Sequence, residues 1–232
     1  MIALHGGNRV VIVRYLFLAN FNCNMLIITR NARTNFRHFS VDRIIHPQSK
    51  EFYHNEGLKR FYFYVIDTRG QLFLEETPKR NIATCMKDIS FLNFTFTHLR
   101  PNTTSHYPNI PLISKCGREV NFISPLDRHS VLGFKDLVPT KTGYELMYGG
   151  NLSQPFNPEY LKYSPESGRM YHLLTDHKYC KNMLGLLHPH ICQTYAKNIE
   201  ELATHDFRFE WQGQKYALEC MDMIEERDED TV

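Results

Sequence analysis

The 232-residue sequence has a single tryptophan, six cysteines with no C-x-x-C pair among them, and no acidic residue before Asp42. Scattered thiols (Cys23, Cys85, Cys116, Cys180, Cys192 and Cys220) exclude a disulfide framework of the small secreted type and the paired-cysteine zinc ribbons, and read as reduced side chains. No apolar run reaches the roughly 20 residues that span a bilayer as a helix. The nearest, residues 10–19 (VVIVRYLFLA), is broken by Arg14 and lacks a clean small-x-small cleavage site, which argues against a secretory signal. Also missing are G-x-x-x-x-G-K-[ST], G-x-G-x-x-G after a strand, G-x-S-x-G and H-E-x-x-H, so phosphate-loop, dinucleotide, hydrolase and zinc-protease chemistries lose their main support. Charge is nearly balanced, 27 Lys and Arg against 25 Asp and Glu, and no basic stripe interleaves with aromatics, so a nucleic-acid partner is not expected.

What is present is unevenly spread. Residues 1–39 carry Arg9, Arg14, Arg30, Arg33 and Arg37 without a counter-charge. On a helix Arg30, Arg33 and Arg37 fall on one side, opposite Ile28, Ala32, Phe36 and Phe39. This is the composition of a mitochondrial presequence, with Arg37-His38-Phe39 placing a processing cut ahead of Ser40. Met25 to Phe39 alone already forms a complete presequence, so Met25 is a second candidate start. Residues 40–58 show no sustained period and read as a linker. Residues 222–232, with six acids and one Arg, read as a solvated, flexible acidic tail. A single domain is expected over residues 59–221, soluble, in the mitochondrial matrix.

At 42% hydrophobic and 13% aromatic, that domain can bury a core rich in strands. RFYFYVID at residues 60–67, the turn Thr68-Arg69-Gly70 and QLFLE at 71–75 predict a hairpin whose first strand is apolar on both faces and so lies inside a sheet. Ile82, Cys85, Met86, Ile89, Leu92, Phe96 and Leu99 predict a helix over 81–99, with a break available at Asp88, a good capping residue. Strands are expected at 112–114, 120–124, 131–137, 144–148 and 170–174, a second helix at 187–202, and a closing hairpin at 207–211 and 214–220. The predicted class is α+β, mainly antiparallel sheet with two principal helices. Hairpin plus helix early and helix plus hairpin late is also the order of two similar halves, although no sequence period marks them.

The densest polar run is CGREVNF at 116–122, where Arg118, Glu119 and Asn121 offer a guanidinium, a carboxylate and an amide able to read an anion. Arg100 with Asn102, and Lys87 with Asp88, are the other candidate ligand-binding groups. The bland alternatives are helix caps, loop staples and solvated pairs. His188, His190 and Cys192 are zinc-ligand types that would share one face of a strand. Pro189 between them instead suits a helix start, where they spread apart, and no metal site is assigned. Asn93, Asn102 and Asn151 begin N-x-[ST] triplets, which matter only in a secreted chain.

FYFYVIDTRGQLFLEE, NIATCMKDISFLNFTFTHLRPN, PLISKCGREVNFI and FEWQGQKYAL together resemble the Uncharacterised Protein Family 0598, with members in animal mitochondria and relatives in bacteria. The resemblance covers about residues 60–220 and is weakest over 141–182; a fainter one, in the aromatic strand, its D-x-x-G turn and the following helix, points to another uncharacterised bacterial family of two-part α+β architecture. The resemblance implies neither a reaction nor a cofactor. The expected function is a non-catalytic module that binds a small anionic ligand or a partner protein. The alternative is an enzyme using Glu119 or Asp88 as acid/base, with Arg118 or Lys87 holding an anion.

Overall fold

The computed structural model describes residue 43 and residues 45–195, 198–203 and 206–221. The expected presequence and acidic tail lie outside the described residues.

The chain enters through α1 (Lys50–Leu58), inside the segment expected to be linker. The helix is set by its cap, not by periodicity: Ser49 Oγ accepts the Phe52 N–H at 3.1 Å. Only Phe52 and Tyr53 carry its apolar contact, which is why no pattern announces it. Next come β1 (Phe61–Ile66) and β2 (Leu72–Leu74), the expected hairpin. Asp67 Oδ1 closes its turn by accepting the N–H groups of Arg69 and Gln71. β1 is indeed an inner strand. It is antiparallel to β2 on one side and, on the other, parallel to β5 (Glu119–Pro125). With β4 (Leu112–Cys116) and β3 (Arg100–Pro101) these make a five-stranded sheet in the order β2-β1-β5-β4-β3.

The first expected helix is shorter than its apolar period. α2 runs Ile89–Thr97 because Asp88 caps it, accepting the Phe91 N–H at 2.7 Å. Residues 81–85 form a turn held by Asn81, whose Oδ1 accepts the Ala83 N–H. Leu92, Thr95 and Phe96 are buried, and Phe91 meets Tyr64 of β1 with ring centroids 5.8 Å apart, so α2 lies on the sheet.

The strand expected over 131–137 is two strands in different sheets. β6 (Ser130–Phe134) edges a seven-stranded sheet, and β7 (Asp136–Thr140) joins β8 (Gly143–Tyr148) and β9 (Leu152–Pro155) in a three-stranded one. Lys135 is the switch point; its N–H bonds Met147 O. The larger sheet continues with β10 (Leu161–Ser164), β11 (Arg169–Leu173), β12 (Leu184–Leu187), β13 (Ile199–Ala203), β14 (Asp206–Trp211) and β15 (Gln214–Cys220), in the order β13-β14-β15-β10-β11-β12-β6. The second expected helix is confined to α3 (Pro189–Tyr195). Residues from Ile199 become strand because β14 offers a backbone ladder that helical spacing cannot reveal. The class is α+β with mostly antiparallel strands; besides β1/β5, the parallel contacts are β6/β12 and β10/β15.

Two glycines fix how the hairpin meets the larger sheet. A Cβ on Gly70 (φ +75°) would lie 2.6 Å from Gly133 O, and one on Gly133 would lie 2.5 Å from Gly70 Cα. The backbones of the β1–β2 turn and of β6 therefore touch, which only glycine permits. Gly133→Ala is expected to cost roughly 1–3 kcal/mol. Gly57→Ala, in open space on α1, should gain up to about 1 kcal/mol. Urea midpoints of the two variants, moving in opposite directions, check this.

Candidate functional site

A cavity of about 290 Å³ opens between α1 and the start of β1. Lys50, Tyr53 and His54 line it from the helix, Phe61, Tyr62 and Phe63 from β1, Leu74 from the end of β2 and Glu76 from the turn after it. Its floor is rigid. Phe63 is stacked on Phe122 at 5.4 Å and edge-on to Tyr107 at 4.9 Å, and Phe52 and Tyr53 pack on the same cluster. The β2 ladder on β1 runs over Tyr64–Ile66, with one further bond from the Glu75 N–H to Phe63 O, and the start of β1 borders the cavity beyond it.

The polar wall is organised by Tyr53. Its hydroxyl donates to Glu75 Oε1 at 2.9 Å and accepts the Gln48 N–H at 2.9 Å. Burial and the nearby Glu75 and Glu76 carboxylates push the phenol up to about 12, whereas the Gln48 N–H pulls it down. Burial raises Glu75 above the usual carboxylate range, against the Tyr53 hydrogen bond and the Arg80 charge. Lys50 and His54, one helical turn apart, place an ammonium and an imidazole on the exposed rim.

The residues singled out from the sequence lie in three separate places. The β1/β5 register puts Phe61 opposite Val120, which brings Glu119 within 3.9 Å of Arg60 at the same end of the sheet as the cavity. Arg118 projects from the exposed β4–β5 turn, where Gly117 takes φ +58°. Asn121 is 3% exposed and faces Ser114 across the strands. Ser114 Oγ and Thr95 Oγ1 are buried with no hydrogen-bond partner among the described residues. Arg100 sits at the far edge strand with its guanidinium 4.6 Å from the centre of the Tyr179 ring. Asn102 staples a loop: its Nδ2 donates to the carbonyls of His106, Tyr107 and Ile110, and its Oδ1 accepts from Thr104. Asp88 is the α2 cap, beside exposed Lys87. Twelve residues separate Asp88 from Arg100, largely along α2, so these two do not converge.

The deepest titratable groups escaped the sequence reading because their partners are distant in the chain. Asp127, 2% exposed, accepts the N–H groups of His129 and Ser130 on Oδ1, and Arg169 and the Tyr171 hydroxyl on Oδ2, each near 3.0 Å. His177 Nδ1 accepts the N–H groups of Tyr179 and Cys180, so its Nε2 carries the proton and donates to Phe96 O at the end of α2. Burial pushes the Cys180 thiol up to about 11, which makes it a poor nucleophile. Fully buried His172 accepts the Asn157 N–H on Nε2 and donates from Nδ1 to Leu173 O. Burial pushes this imidazole down to about 4, against the pull of the Leu173 and Asn157 carbonyl oxygens beside the ring.

That last shift predicts a pH dependence. The unfolded ring takes up a proton near 6.5, and the folded ring refuses it until about pH 4. Stability held above pH 6.5 is therefore lost as pH falls, by roughly 3 kcal/mol at pH 4. Denaturant midpoints between pH 7 and 4 should fall less steeply in His172→Gln than in the natural chain.

Two solved structures share a distant likeness. A DUF1285 family protein from Shewanella baltica OS155 is 10% identical, covering 59% of this chain and 91% of its own, with a TM-score of 0.39. A DUF1285 family protein from Silicibacter pomeroyi DSS-3 is 12% identical, covering 77% and 90%, with a TM-score of 0.42. The decisive match is to a family model over residues 51–223, nearly the whole of the described chain from α1 to β15. The protein belongs to the family described as Domain of unknown function (DUF4505).

Proposed function

We propose that the chain is a mitochondrial, non-catalytic binding module whose cavity beside β1 takes a small anionic ligand with an apolar or ring-bearing body. The observation that carries this is the pairing of an aromatic floor (Phe61, Phe63) with the Lys50 ammonium and the His54 imidazole on the rim. The apolar body would lie on the rings, and its carboxylate or phosphate would meet the Lys50 charge and the His54 ring. Arg60, Arg118 and Glu119 form the adjoining sheet end, and they would extend the polar rim. Arg100, Asn102 and Asp88 take no part in this reading, since each has a structural task away from the cavity, and neither does exposed Lys87 beside Asp88.

The compartment is supported by the acid-free start, by the resemblance to a family with mitochondrial members, and by the state of the N-x-[ST] triplets. Asn93 donates to Asn151 Oδ1 and accepts the N–H groups of Gly150 and Asn151, while Thr95 is fully buried. A glycan on Asn102 Nδ2 would displace donors to three carbonyls. These triplets suit a chain that does not pass the glycosylation machinery.

Two measurements test the reading. Small molecules retained by the purified protein are identified by native mass spectrometry, and their affinity is then measured by calorimetry. Lys50→Ala is expected to weaken binding about tenfold, the loss of one charge-assisted contact; an unchanged affinity places the ligand elsewhere. For the compartment, residues 1–39 fused to a reporter should direct it into mitochondria only while the membrane is energised. A reporter left in the cytosol contradicts import.

A further inference from the structure

We propose that Asp136, His190 and His188 form a proton-operated latch that closes the apolar seam between β7 and α3. The geometry fixes the protons. His188 Nδ1 accepts the backbone N–H of His190 at 3.2 Å, so it carries no hydrogen of its own. The two Nδ1 atoms lie 2.7 Å apart, and the bridging hydrogen therefore belongs to His190. His190 Nε2 stands 3.2 Å from Asp136 Oδ1, a carboxylate oxygen that also accepts the Leu137 N–H. A carboxylate only accepts, so this contact needs a second hydrogen on the same ring. The fully bonded state is an imidazolium at His190, held between a neutral His188 and an ionised Asp136.

Beneath the latch, Leu137 of β7 faces Leu187, Ile191 and Cys192, with Phe156 and Phe209 completing a small apolar void. Among the described residues the groups acting on His188 are His190 and Arg69, which disfavour its protonation, and Asp67 and Asp136, which favour it; burial outweighs them and holds His188 neutral to lower pH. Loss of the second hydrogen from His190 removes the charged tie to Asp136 and frees α3 to part from β7.

Hydrogen exchange of residues 190–195 in the full chain, corrected for intrinsic rates, reads the latch directly. Between about pH 5.5 and about pH 8.5 these amides should open roughly threefold more often, the size of one exposed ion pair. Asp136→Asn and His190→Gln should remove that dependence and exchange at the high-pH level throughout. Nitrogen-15 spectra at the lower pH should show both His190 ring nitrogens protonated. The proposal is overturned if the variants keep the pH dependence, if His190 has one ring proton at pH 5.5, or if the natural chain takes up one equivalent of Zn²⁺ through these imidazoles.

Discussion

The Asp127 carboxylate is the constraint on which the rest of the structure depends. It is almost fully buried, and removing such a charge from water costs several kcal/mol unless it is paired and hydrogen-bonded. Its donors come from two directions. The His129 N–H belongs to the short connection from β5 to β6 and the Ser130 N–H to the first residue of β6, and the Arg169 and Tyr171 side chains stand on β11. One residue thus fixes where the five-stranded sheet hands the chain to the seven-stranded one. It also fixes the position of β11 relative to that joint. Arg43 adds to the same corner: its N–H bonds Leu126 O, and the Asp127 charge partly offsets the burial and the Arg128 charge that lower its guanidinium.

From that corner the functional regions hang in opposite directions. On one side the Gly70–Gly133 contact pins the β1–β2 turn to β6, which settles β1 and the cavity that α1 builds against it. On the other, β6 passes through Lys135 into β7, and the apolar seam under α3 follows. Buried imidazoles hold the intervening loops: His177 caps the carbonyl of Phe96 at the end of α2, and His172 joins Asn157 to β11. Each works only while neutral, which ties the integrity of the fold to pH above the acid range.

Much of the fold was legible in the sequence where local chemistry decides it. The β1–β2 hairpin was readable from two apolar faces and an Asp-x-x-Gly turn, and Asp88 marked the true start of α2. α1 was not readable, because Phe52 and Tyr53 provide too little periodicity and its cap alone defines it. The strand from Ile199 imitated a helix because Ile199 and Leu202 continue the three-residue apolar step, whereas the backbone ladder to β14 leaves no mark in side-chain periodicity. The site was harder. Lys50, Phe61 and Glu76 come from three elements, and nothing in the local sequence places them around one cavity. Asn102 looked like a ligand-reading amide, yet all its polar atoms serve its own loop. The H-x-H spacing marked a real cluster, but Asp136, more than 50 residues away, gives it its chemistry.

Asp127→Asn, followed by hydrogen exchange across both sheets during equilibrium unfolding, tests the central claim most directly. The substitution keeps the shape but removes the negative charge that Arg169 and the Tyr171 hydroxyl meet on Oδ2. It should lower stability by roughly 3 kcal/mol. The natural chain should unfold in one transition, with β1, β5, β6 and β11 losing protection together; in the variant the five-stranded sheet should open before the larger one. A variant that keeps natural stability and a single shared transition would contradict the account.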